Sequence, residues 1–121
     1  MDMKIEVRTE YLYVKFSGAY DFKSGLAQFK QVAAACAQHN LSRVLMDATG
    51  LIGEVSIIDR HDLGVELAAQ KIIARAAMIA RPDQLLPDRF MQNVAKNRGL
   101  ENQGFLEFSE AETWLLNKPQ Q

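Results

Sequence analysis

The chain has 121 residues, 48% of them hydrophobic and 24% charged, with 14 basic against 15 acidic side chains and a formal net charge of −1. That length suits one domain with its own core, and that composition excludes a disordered chain. The near-neutral balance excludes a nucleic-acid binder that works through bulk positive charge.

Met3, Ile5 and Val7 alternate with Lys4, Glu6 and Arg8, the period-2 pattern of a half-buried strand. After Thr9-Glu10, Leu12, Val14 and Phe16 alternate in the same way, so a leading antiparallel hairpin is expected. Gly18 closes that strand and Asp21 is the expected N-cap of a long helix. Phe22, Leu26, Phe29, Ala33 and Cys36 form its apolar stripe, and Asn40 stops it. Arg43 to Ala48 is the third strand, with the near-continuous apolar centre of a strand covered on both faces.

Thr49 to Val55 reads as a loop carrying Gly50 and Gly53. Ser56 is the expected N-cap of the second helix, whose inward residues are predicted as Ile58, Val65, Ala68, Ala69 and Ile72. The fourth strand starts near Arg75 and centres on Ala76 to Ala80. Arg81 to Leu86 reads as a loop, followed by a helix from Pro87 to Arg98 that stops at Gly99. Gly104 to Phe108 is the predicted fifth strand. Ser109 and Glu112 form a capping box that opens the last helix, anchored by Trp114 and Leu115.

Strands alternating with helices in this way imply parallel strands under right-handed crossovers. The expected fold is α/β: one layered domain over residues 1–117, with a five-stranded, mostly parallel mixed sheet, four helices and a leading β-hairpin. Residues 118–121 are expected to be a frayed tail.

The chemistry-bearing residues are sparse. The single cysteine, Cys36, lies in an alanine-rich apolar run and reads as a small core residue. The only histidines, His39 and His61, have no second ligand at helical spacing, so no metal site and no cofactor are expected. The phosphate-loop pattern and the Gly-x-Ser-x-Gly elbow are both missing, and a non-catalytic protein is expected. The N-terminus lacks the apolar region of a secretory signal, and no apolar run approaches the roughly 18 residues of a membrane helix, which favours a cytoplasmic protein.

In an open parallel sheet, ligands bind beyond the carboxyl ends of the strands. Here that edge comprises Asp47 to Ser56 and Arg81 to Asp88, with Gly18 to Phe22 after the second strand. Asp47 ends the third strand, and Leu51, Ile52, Val55 and Ile57 make an unusually apolar stretch for a loop. Thr49 and Ser56 are hydroxyls near a helix start, where a phosphate would meet free N–H groups. The candidate phosphoacceptors are therefore Ser56 and Thr49. The candidate interaction loop is Asp47, Gly50, Leu51, Ile52, Gly53, Val55 and Ile57.

The order of elements resembles the STAS domain, the fold of anti-sigma-factor antagonists, and more closely its bacterial SpoIIAA-like branch, related in fold to CRAL-TRIO lipid-binding domains. The resemblance is carried by Arg43-Val44-Leu45-Met46-Asp47-Ala48, Asp59-Arg60-His61-Asp62-Leu63-Gly64, Ala76 to Ala80, Phe90 to Gly99, Phe105 and Glu110-Ala111-Glu112-Thr113-Trp114-Leu115. It implies a regulatory, signalling module that binds a protein partner, switched by phosphorylation at the start of the second helix; the apolar loop residues could equally bury an interface with a second copy of the chain. Asp47 matches the strand-terminal aspartate of that switch. The compact Asp-Ser-Ser/Thr-Gly context is replaced by Ala48 to Ser56, so Ser56 matches the switch serine by location alone. The alternative is a small-molecule or lipid-binding protein, with an apolar pocket between the sheet and Leu51, Ile52, Val55 and Ile57.

Overall fold

The computed structural model describes residues 1–84 and 99–117. Its sheet has five strands in the order β1-β2-β3-β4-β5, each beside its neighbour in sequence. These are β1 (Asp2–Val7), β2 (Leu12–Ala19), β3 (Arg43–Ile52), β4 (Arg75–Ile79) and β5 (Glu101–Phe105). β1 and β2 form the expected antiparallel hairpin, and β2 to β5 run parallel. Three helices lie wholly among the described residues: α1 (Phe22–His39), α2 (Ile57–Ala69) and α3 (Phe108–Leu116). The helix expected over Pro87 to Arg98 and the tail at 118–121 lie outside the described residues.

The sheet separates two clusters of apolar side chains. Leu12, Val14, Phe16, Val44, Met46, Ala48, Ala76 and Met78 meet Phe29, Val32, Ala33 and Cys36 of α1 and Leu63 and Leu67 of α2. On the opposite face Tyr11, Leu45, Ala77 and Ile79 meet Ala111 and Leu115 of α3, with Tyr13, Phe105, Phe108 and Trp114 at the margin. The period-2 alternation of side chains along β2, β3 and β4 sends successive residues to one cluster and then the other.

Asp21 caps α1 as expected. Its carboxylate accepts from the Ser24 N–H at 2.9 Å and the Ser24 hydroxyl at 2.6 Å, and these bonds hold it below the usual carboxylate range. Asn40 closes α1 in the left-handed region at φ 56°. A Cβ on Gly25 would stand 3.4 Å from a Leu63 methyl, so the glycine that lowers helix propensity also lets α1 approach α2 closely.

Four expectations are corrected. Thr49 to Ile52 are strand, because β3 keeps pairing with β2 as far as Ala19↔Ile52. The register slips between Lys15 and Ser17, where Ala48 and Thr49 together oppose Phe16. The slip exchanges the faces, and Leu51 joins the α1/α2 side.

The second correction concerns α2, which turns Leu63, Gly64 and Leu67 inward together with Arg60, while Ile58 and Ile72 are exposed. The apolar count alone did not resolve the face, since both isoleucines of this helix, Ile57 and Ile58, are exposed.

Third, β5 spans Glu101–Phe105 rather than 104–108, because Ala76↔Asn102 to Ile79↔Phe105 pairing fixes it against β4. Phe108 is thereby the first residue of α3. Its N-cap is Glu107, with no side-chain bond, so the Ser109–Glu112 capping box does not form. The Glu112 carboxylate instead accepts from the Tyr11 hydroxyl. Burial and that carboxylate push the Tyr11 phenol up to about 12.

Finally, Pro82, Asp83 and Gln84 are helical, within the stretch from Arg81 to Leu86 expected as a loop. Pro82 suits a first helical position, and Gln84 reaches back to accept from the Arg81 N–H at 2.7 Å. Arg75 fastens the far end of α3: its guanidinium lies 4.0 Å from the Trp114 ring centre and donates to the Trp114 and Asn117 carbonyls.

Candidate functional site at the carboxyl edge of the third strand

The edge is built by β3 outlasting β4. Backbone pairing of β3 with β4 ends at Asp47↔Ile79, while β3 continues to Ile52. The carbonyls left open on that side are taken by two side chains. Gln84 donates to the Ala48 carbonyl at 2.9 Å, and Arg81 donates to the Thr49 carbonyl at 2.5 Å and the Leu51 carbonyl at 2.9 Å. These bonds satisfy groups that would otherwise lack a partner at the opening of the sheet. Asp83 braces the Arg81 guanidinium at 3.2 Å and is held below the usual carboxylate range by it.

Asp47 organises its own chain. Oδ1 accepts from the Thr49 N–H at 2.9 Å and the Thr49 hydroxyl at 2.6 Å, and Oδ2 accepts from the Tyr13 hydroxyl at 3.3 Å. The Tyr13 phenol is raised by burial first and by the Asp47 charge next. Thr49 therefore spends both its hydroxyl and its N–H on a carboxylate. A phosphoryl group there would set a second anion beside Asp47.

Gly50 sits at the register slip, where a Cβ would stand 2.8 Å from the Phe16 carbonyl oxygen. Only glycine lets the two backbones approach so closely. Gly53 turns the chain at φ 103°. Leu51 and Val55 are half-buried. Ile52 is 69% exposed, Ile57 68% and Ile58 74%, which leaves an apolar surface at the start of α2.

Ser56 caps α2 and accepts from the Asp59 N–H at 3.1 Å. Asp59 in turn accepts from the Tyr20 hydroxyl at 3.0 Å, and burial and this bond push the Tyr20 phenol well up. Arg60 is 7% exposed, and its Nε donates to the Val55 carbonyl at 3.0 Å. Tyr20 and Arg60 thus tie the second strand and α2 to the turn between them.

A cavity of about 60 Å³ lies under this turn, lined by Phe16, Phe29, Leu51, Val55, Leu63 and Met78 among others. Of the four residues expected at a pocket, Leu51 and Val55 line it, and Ile52 and Ile57 point to solvent. The two candidate hydroxyls do not converge. Thr49 belongs to the Asp47–Tyr13 group, while Ser56 starts the helix that covers the other face. Tyr20, Arg81 and Gln84 fall in the edge segments expected from the sequence, 18–22 and 81–88, but the bonds they make, and the part played by Arg60, were not legible. The one signal was Arg81-Pro82-x-Gln84, a proline followed by a glutamine at the reach-back position. Among the described residues no group of three or more His, Cys, Asp or Glu could hold a metal ion, and no helix is long and apolar enough to cross a membrane.

No protein-family model matches the chain, and no curated protein matches it. Among solved structures it is similar to an uncharacterised protein with a SpoIIAA-like fold from Shewanella loihica PV-4, at 22% identity over 93% of both chains with a TM-score of 0.57. It is also similar to an anti-sigma factor antagonist from Mycobacterium paratuberculosis, at 15% identity over 96% of this chain and 94% of that one, with a TM-score of 0.64. The chain has a STAS-like, SpoIIAA-like α/β fold.

Proposed function

We propose that the protein is a non-catalytic cytoplasmic module that binds a protein partner through the edge from Asp47 to Ile58. The observation that carries this reading is the exposed trio Ile52, Ile57 and Ile58, beside a turn held rigid by Arg81, Gln84 and Arg60. Exposed apolar residues on a fixed backbone suit recognition by surface complementarity. The likeness in fold to an anti-sigma factor antagonist supports a regulatory role. Ser56 is the hydroxyl through which phosphorylation would act, since it is exposed and its oxygen already meets a first-turn N–H.

Affinity capture from the source cell, compared with the Ile57→Asp variant and with Ser56→Asp, tests this. Proteins retained by the native chain and lost with Ile57→Asp support the reading. The same set retained by both removes the edge as the interface, and equal capture by Ser56→Asp removes the switch.

The cavity favours a second reading, a small apolar ligand under Leu51 and Val55. At about 60 Å³ it falls well below the roughly 300 Å³ of a common ligand site, so a lipid would need α1 and α2 to part. Native mass spectrometry of the purified chain decides it: a co-purifying small mass supports the pocket, and a bare chain rejects it.

A further inference from the structure

The free edge of the sheet lies two strands from β3, at β1. Among the described residues β1 ends the sheet, and all of it but Met3 is exposed. The Arg8 N–H donates to the Tyr11 carbonyl at 3.0 Å, so in the β1–β2 ladder the even-numbered residues of β1 point their backbone groups at β2. Met3, Ile5 and Val7 therefore point theirs outward. The same three side chains lie opposite Phe16, Val14 and Leu12, on the face that α1 covers. That cover stops short, leaving Ile5 38% and Val7 48% exposed.

The edge is its own complement. Asp2-Met3-Lys4-Ile5-Glu6-Val7-Arg8 reads acid, apolar, base, apolar, acid, apolar, base. Laid antiparallel against a second copy with Ile5 on the two-fold axis, Lys4 faces Glu6 of the copy, Asp2 faces Arg8, and Met3 faces Val7. Met3, Ile5 and Val7 then meet one another as hydrogen-bonded pairs, the only parity their outward backbone groups allow. Lys4 and Glu6 fall on the non-hydrogen-bonded pairs, where side chains approach most closely. Within one chain Lys4 stands directly opposite Lys15, a like-charge pair that the copy's Glu6 would offset. Edge strands are usually blocked by lysine, proline or a bulge. Here the lysine is matched by a glutamate two residues on, and β1 holds no proline or glycine.

We propose that the protein forms a two-fold dimer through antiparallel pairing of β1 with β1 of a second copy, joining the two sheets into one. This reading is independent of the partner edge at Asp47 to Ile58.

Sedimentation of three variants tests it. Lys4→Glu alone and Glu6→Lys alone each place like charges together twice across the axis, and each is expected to weaken the dimer roughly tenfold or more. An equimolar mixture of the two restores both opposite-charge pairs and is expected to form a heterodimer about as tight as the native dimer. Ile5→Pro removes an outward N–H and leaves the β1–β2 ladder intact, so it is expected to give a folded monomer by circular dichroism. A native chain that stays monomeric at every concentration overturns the proposal. So does a mixture that associates no better than its separate components, or a folded Ile5→Pro that dimerises undiminished.

Discussion

The two halves of β3 are held in different ways. From Val44 to Asp47 the strand is paired by backbone on both sides, with β2 and with β4, and Val44, Leu45 and Met46 are buried in the two cores. From Ala48 to Ile52 it pairs with β2 alone, past a register slip, and its other side is clasped by Arg81 and Gln84. The first half is fixed by burial and a regular ladder. The second is fixed by a few named bonds and one glycine, which leaves it open enough to be met by another molecule. Stability and accessibility are thus divided along a single strand.

The largest expected effect lies in the first half. Met46→Ala, at a fully buried position, should cost about 2–5 kcal/mol in chemical denaturation. At the slip, Gly50→Ala should cost about 1–3 kcal/mol, because its methyl meets the Phe16 carbonyl and backbone cannot yield as a side chain can. Arg81→Ala should cost about 1–2 kcal/mol and speed amide exchange at Gly50 to Ile52 more than at Val44 to Met46. Equal exchange in both halves would erase the distinction between them. Ser56→Ala should cost about 1 kcal/mol through loss of the α2 cap.

The smallest effect belongs to pH, at the junction of the halves. The Tyr13 phenol is raised in the folded chain, so its contribution is complete below the ordinary value of 10.0 and is lost as pH rises through the folded value. Stability should fall above that pH, and Tyr13→Phe should make the fall shallower in an alkaline denaturation series.

Much of this fold was legible because local signals agreed with packing. The alternation of Met3 to Phe16 gave the hairpin, Asp21 and Asn40 bracketed α1, and Ser56 opened α2. The misses within the sheet share one cause: pairing between strands overrode local preference. β3 ran on through Gly50 because β2 offered partners, and β5 was drawn upstream by β4 even though Glu101-Asn102-Gln103 has little strand character. At the site, Asp47 was visible as a strand-terminal carboxylate. The bonds of Tyr13 and Arg81 were not, since nothing in a linear sequence reports which distant side chain closes a broken ladder.

Cys36 gives the molecule a built-in reporter. It is the sole cysteine, fully buried between α1 and the sheet, and burial pushes its thiol up to about 11. A disulfide reagent can reach it only when α1 lifts from the strands, and the thiolate forms readily only after that exposure. The pace of labelling under native conditions therefore times the opening of the α1 layer, with no dye, tag or engineered substitution in the chain.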